Sequence, residues 1–242
     1  MKEKSLKQRI GSWLIPHLPM TRELFDQNRY EWNSFIVNVL NCLNPLLKGK
    51  IRKLSEKKDL SLNIGAGPFG EAGWINLDLA KHQNIAFRYD CRKKIPFPDA
   101  SVARIRVEHF LEHLDIKQQT PQFLSHCYRV LKPGGIIRIV VPDIEKLILA
   151  YTSNSADKWL ECGWDINHLP EEFDTPLFIL NHTFRQDGEH KFAFDFETLE
   201  IILKKFGFSK VIKQEFGKSI DERLKNDLPN HQKYSLYVEA IR

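Results

Sequence analysis

The residues best suited to chemistry begin where an apolar run, Leu60–Ile64, breaks into Gly65-Ala66-Gly67-Pro68-Phe69-Gly70. Glycines at this spacing let a backbone approach a ligand closely. Asp78 and Leu79 close the next apolar run, thirteen positions beyond Gly65. A carboxylate there is placed to accept the two hydroxyls of a ribose. Further on, FRYDCRKK carries Asp90 with the Cys91 backbone amide beside it, a pair suited to an adenine amino group. Glu108-His109-Phe110-Leu111-Glu112-His113 then follows the fourth apolar run, Val102–Val107. His109 can hold a proton near neutral pH with little tuning and is the candidate general base. His109, Glu112 and His113 would share one face of a helix starting there, and two imidazoles with a carboxylate suit a divalent ion. No metal is expected, and these three are the candidate ligands if one binds. His182, Arg185 and His190 form a second polar group, in which the planar fork of Arg185 could clamp an acidic or sugar-phosphate acceptor.

The glycine loop fits G-x-G-x-x-G, yet a dinucleotide reading fails on spacing. That motif opens a helix at its third glycine and places its acidic residue about 20 positions on. Here Pro68 obstructs the loop and only nine residues separate Ile64 from Trp74. A pyrophosphate needs a helix N-terminus, and a parallel crossover normally takes about a dozen residues or more. An adenosine cofactor without phosphates fits better, and a hydride-transferring oxidoreductase is disfavoured.

The elements that must position these groups read as short strands alternating with helices. Strands are expected near Leu60–Ile64, Trp74–Leu77, Ile85–Tyr89, Val102–Val107, Ile136–Val141, Lys210–Phe216 and Tyr234–Ile241. Helices are expected over Phe110–Leu114, Pro121–Leu131, Ile144–Tyr151 and Thr198–Phe206, with Thr120 as the N-cap of the second. This pattern predicts a mainly parallel sheet, with the last two strands pairing antiparallel at one edge and an extended or single-turn link between the first two. Residues 152–196 are too long for an idle loop and read as an aromatic lid.

Residues 1–58 form a basic helical extension with twelve Lys/Arg against five Asp/Glu, a surplus able to meet an acidic partner, an anionic membrane face or RNA. Four scattered cysteines and no span suited to crossing a membrane point to a reducing, cytoplasmic setting.

In order, LNIGAGP, GWINLD, YDCRKKIPFPDASV, VEHFLEHL and YRVLKPGGIIRIVVPD resemble a class I S-adenosylmethionine-dependent methyltransferase of the type-11-like bacterial group. The similarity covers about residues 60–151, with weaker likeness in GEHKFAFDFETLEIILKKFGFSKV and SLYVEA; residues 1–58 show none. It implies a Rossmann-like domain over 59–242 with S-adenosyl-L-methionine as cofactor. Gly65, Ala66 and Gly67 would line its methionine part, Asp78 with Leu79 would meet the ribose, Asp90 and Cys91 the adenine, and Glu108 would lie at the cofactor. The E-x-x-E-H of ubiquinone-pathway O-methyltransferases is similar to residues 109–113, with His109 replacing the first glutamate.

No Asn/Asp-Pro-Pro-aromatic motif follows the fourth strand, and no Pro-Cys nucleophile or RNA-binding module occurs. Nucleic acid is therefore a disfavoured partner, and a hydroxyl on a small metabolite, saccharide or peptide is the expected acceptor. The alternatives are an RNA methyltransferase, motivated by the basic extension, and a non-catalytic cofactor-binding subunit.

Overall fold

A computed structural model describes residues 19–153, 155–171 and 173–242; the first eighteen residues of the basic extension lie outside it. Two helices, α1 (Arg22–Leu43) and α2 (Pro45–Ser55), precede a seven-stranded sheet of order β3-β2-β1-β4-β5-β7-β6. Its strands are β1 (Leu60–Ile64), β2 (Ile75–Asp78), β3 (Phe87–Arg88), β4 (Val102–Glu108), β5 (Leu131–Pro142), β6 (Lys210–Gln214) and β7 (Ser235–Ile241). β1 to β5 are mutually parallel, and β7 pairs antiparallel with both β5 and β6. The fold is the expected Rossmann-like one with an antiparallel edge pair. The reversed strand is β7, one place in from the rim.

The sheet has two unlike faces. On one, Leu60, Leu62, Ile64, Ile75, Leu77, Ile105, Val107, Ile137, Ile139 and Val238 join a single buried apolar cluster. Helix α3 (Gln119–Val130) buries Phe123, Leu124, Cys127 and Val130 in it, and α7 (Phe196–Lys205) buries Leu199 and Leu203. The spacing of three and four is that of an amphipathic helix laid on a sheet.

Side chains alternate across a strand, so the residues between these apolar ones face the other way. Asn76, Asn63, Arg106, Arg138 and Glu239 stand side by side in register across five strands. Among the described residues no long helix covers this row. The link between β6 and β7 covers it, held by ion pairs. Arg104 meets Asp221 at 2.7 Å, and Arg138, fully buried, meets Asp227 at 2.6 Å and Glu239 at 2.8 Å. Arg106 also lies over the Trp74 ring, 4.6 Å from its centroid. The short β1–β2 link is thus accounted for: a polar face has no apolar area for a crossover helix to bury.

Two local expectations are corrected. α3 starts at Gln119 rather than after Thr120, because the Asp115 carboxylate receives the Lys117 and Gln118 N–H groups while its carbonyl receives those of Gln119 and Thr120. The expected helix over Phe110–Leu114 shrinks to one 3-10 turn, Leu111–His113. His109 precedes it in the left-handed region at φ 49°, which breaks the helical path.

After β5 the chain is largely helical: α4 (Ile144–Ser153) leads into the 152–196 segment, which holds α5 (Ala156–Glu161) and α6 (Pro176–Arg185). These bury Leu147, Trp159 and Ile179 in a small core of their own. Both ends return to the sheet, where Asp143 bridges Phe194.

Candidate active site

The glycine loop is fixed by the strand beside it. Gly65 and Ala66 N–H groups both donate to the Leu77 carbonyl, at 3.0 and 3.2 Å. Gly65 and Gly67 have φ of 69° and 50°, conformations that cost a side-chain-bearing residue about 1–2 kcal/mol. A Cβ on Gly65 would lie 2.7 Å from the Phe110 ring, whereas one on Gly67 would meet nothing within 4 Å. Gly65 is therefore glycine for packing, and Gly67 presents bare backbone to open space.

Asp78 is half-buried at the end of β2, directly under this loop. Its two oxygens accept the Gly67 N–H at 2.9 Å and the Ala80 N–H at 2.7 Å. An ionised carboxylate offers about four lone-pair sites, so two remain for the hydroxyls of a ribose. Leu79 is buried, and its carbonyl receives the Arg88 guanidinium. The loop and Asp78 fit an adenosine cofactor.

Asp90 is placed differently. Its side chain is 1% exposed and is held by the Arg92 guanidinium at 2.8 Å and by the Ser34 hydroxyl of α1. Burial alone would raise this carboxyl, but Arg92 and Ser34 hold it below its ordinary value of 3.8. Cys91, next to it in the chain, is buried in the apolar cluster of the sheet, and neither residue of the expected adenine pair, nor Asp78, lines the cavity beside the glycine loop.

That cavity, of about 340 Å³, runs from Gly65–Gly67 past Arg106 to Glu108, His109, His113, His190, His231 and Tyr234. Two imidazole–carboxylate pairs bring His109 and His231 to its lining. His109 Nδ1 lies 3.1 Å from Glu112 Oε1, and its Nε2 lies 2.9 Å from the Ser235 hydroxyl. His231 Nδ1 lies 2.9 Å from Glu108 Oε1, and the rings of His109 and His231 pack with centroids 3.9 Å apart. Glu108 also receives the Leu228 N–H. Among the described residues His231 Nε2 has no partner. Burial, with Glu112 and Glu108 nearby, pushes the Tyr234 phenol up to about 12, so it stays a hydrogen-bond donor.

The 152–196 segment contributes unevenly. His190 reaches the cavity, as does Gln186, while His182 and Arg185 are exposed on α6 and do not line it. His190 Nδ1 is 2.6 Å from the Thr183 carbonyl, and burial lowers its pKa, favouring the neutral ring. Burial would raise the Glu112 carboxyl, but His109 and His113 hold it below its ordinary value. The ligand atoms of Glu112, His113 and His190 lie within 4.8 Å of one another. Of the set suggested by helical spacing, His109 is instead engaged by Glu112 and Ser235.

Sequence reasoning missed His231 and Tyr234. A usable signal existed: a strand antiparallel to its neighbours starts where they end, so residues just before β7 must arrive at the carboxyl ends of β4 and β5, where ligands bind in open sheets.

Residues 75–139 match the family described as "Methyltransferase domain". A curated relative from Mycolicibacterium smegmatis, named a "Probable S-adenosylmethionine-dependent methyltransferase", is 34% identical over 64 residues, covering 26% of this chain and 24% of its own length. The chain thus spans about a quarter of the curated relative it matches. Among solved structures, an S-adenosylmethionine-dependent methyltransferase from Archaeoglobus fulgidus is 19% identical, with 81% of this chain and 93% of that one covered and a TM-score of 0.44. A Haemonchus contortus phosphoethanolamine N-methyltransferase 2, solved with S-adenosyl-L-methionine, is 14% identical, with 82% and 53% covered and a TM-score of 0.43. Likeness at these scores adds no weight to the sheet order itself. Over residues 75–139 the chain is thus similar to methyltransferase domains, and the loop over Asp78 fits an adenosine cofactor.

Proposed function

We propose that the protein methylates oxygen, on a hydroxyl of a small metabolite, saccharide or peptide. The observation that carries this reading is His231, held by Glu108 through Nδ1 and with Nε2 unengaged in the wall of the cavity that begins at the glycine loop. Bound S-adenosyl-L-methionine supplies an activated methyl group on a sulfonium. The chain must orient the acceptor, exclude water and remove the hydroxyl proton. Glu108 fixes the His231 tautomer and steadies the imidazolium formed when Nε2 takes that proton. His109, the base expected from the sequence, has Nε2 bonded to Ser235 and Nδ1 3.1 Å from the Glu112 carboxylate; in this reading it buttresses His231. His190 and Gln186 contact the acceptor from the lid.

Residues 59–242 form the methyltransferase domain in this reading, with residues 152–196 as its lid and 1–58 as an extension. All four cysteines are free, three of them buried, which supports a cytoplasmic, reducing setting. No helix among the described residues is long and apolar enough to cross a membrane.

The test is S-adenosylhomocysteine release across parallel panels of hydroxyl and amine acceptors. The reading expects turnover with hydroxyls and a loss of about 10²–10⁴ in kcat for His231→Ala, the usual worth of a general base. Turnover confined to amines, indifferent to His231→Ala, would contradict it.

A further inference from the structure

Helix α1 is turned inside out. Its polar side faces the domain: Ser34 bonds Asp90, Asn33 takes Arg88 at 2.6 Å, Asn41 donates to the Arg88 carbonyl at 2.9 Å, and Glu31 pairs with Arg92. Its apolar side faces outward. Trp32, Phe35, Ile36, Leu40 and Leu43 are 66%, 57%, 52%, 60% and 74% exposed, and Leu46 at the start of α2 is 82% exposed. Their spacing of three and four makes one continuous stripe. Single exposed apolar residues are ordinary, but a contiguous stripe of this kind marks a contact surface.

The charge beside the stripe selects the occupant. From Asn44 to Lys58 the chain carries six Lys/Arg against one acidic residue. Lys48, Arg52, Lys53, Lys57 and Lys58 are all exposed. Tryptophan, phenylalanine and leucine on one face with a basic flank are the composition of a helix lying in a lipid headgroup layer. Anionic headgroups match the basic surplus, whereas a second copy of this chain would bring the same positive charge to the contact. With no membrane-crossing helix among the described residues, the contact is peripheral.

We propose that the outer face of α1, with basic α2, docks the protein on an anionic membrane surface. Seating would fix the helix whose inner side holds Asp90 and Arg88.

The full chain should be sedimented with vesicles of phosphatidylcholine alone and of phosphatidylcholine mixed with phosphatidylglycerol. The proposal expects binding at least about tenfold tighter to the mixed vesicles, falling with salt. Trp32→Ala with Phe35→Ala should abolish it, and Lys48→Glu with Arg52→Glu should remove the preference for anionic lipid. All four side chains are exposed, and an unchanged thermal midpoint for both double variants checks the fold. Equal binding to the two vesicle types, or none, overturns the proposal. So does a lipid-free dimer in sedimentation velocity that Trp32→Ala with Phe35→Ala dissolves, which would make the stripe a self-interface.

Discussion

The two faces of the sheet are solved by different physics. One buries aliphatic side chains under α3 and α7, where the gain is non-directional and roughly proportional to area. The other aligns Asn63, Arg106, Arg138 and Glu239 and covers them with a loop held by ion pairs. Directional pairs fix a loop's position, and this loop brings His231 and Tyr234 to the cavity. The apolar face carries the stability of a core, while the polar face carries the site. The missing crossover helix therefore reflects which face had to stay polar.

The largest break in this contrast is expected at Arg138. Arg138→Ala leaves Asp227 and Glu239 buried and unpaired, which should cost about 3–5 kcal/mol in a urea titration. Replacing the trio together (Arg138→Met, Asp227→Leu and Glu239→Leu) should recover part of that loss. Recovery stays partial because the Gly217 and Ile220 N–H groups lose the carboxylates that accept them. A mild effect for Arg138→Ala would mean the polar face is not held by its ion pairs.

Next come the glycines, which sharpen the same contrast within one loop. Gly65→Ala drives a Cβ into Phe110 and should lower stability by about 1–3 kcal/mol. Gly67→Ala should cost about 1–2 kcal/mol through its backbone angle alone, yet weaken cofactor affinity more than Gly65→Ala, because its added methyl enters the open cavity.

The smallest effect is a pH response. Asp90 has a folded-state pKa held below 3.8. Its contribution is complete above that value and is lost as pH falls through the folded pKa. Acid titration followed by Trp32 fluorescence should show α1 loosening below pH 3.8, and Asp90→Asn should remove that step.

Much of the fold was legible because hydrophobic period reports local structure. LSLNI, INLD and VARIRV stand in the expected strands, and the short link after Ile64 followed from counting residues. The polar face of β4, Arg104, Arg106 and Glu108, was not read from the sequence, because its partners lie more than a hundred residues away in Asp221 and Arg223. Spacing within a segment cannot show such pairing. For the same reason the glycine loop and Asp78 could be located from sequence, whereas the Glu108–His231 pair and the Ser34–Asp90 contact could not. The 3-10 turn was hidden too, because the helical spacing of His109, Glu112 and His113 assumes a backbone that His109 itself interrupts.

The most direct test of the site is calorimetric titration of the full chain with S-adenosyl-L-methionine, for the wild type and for Asp78→Ala. Saturable binding by the wild type that is lost in a folded Asp78→Ala variant is the predicted result. An affinity unchanged by Asp78→Ala, or no heat from the wild type, would contradict the placement of the cofactor over the glycine loop.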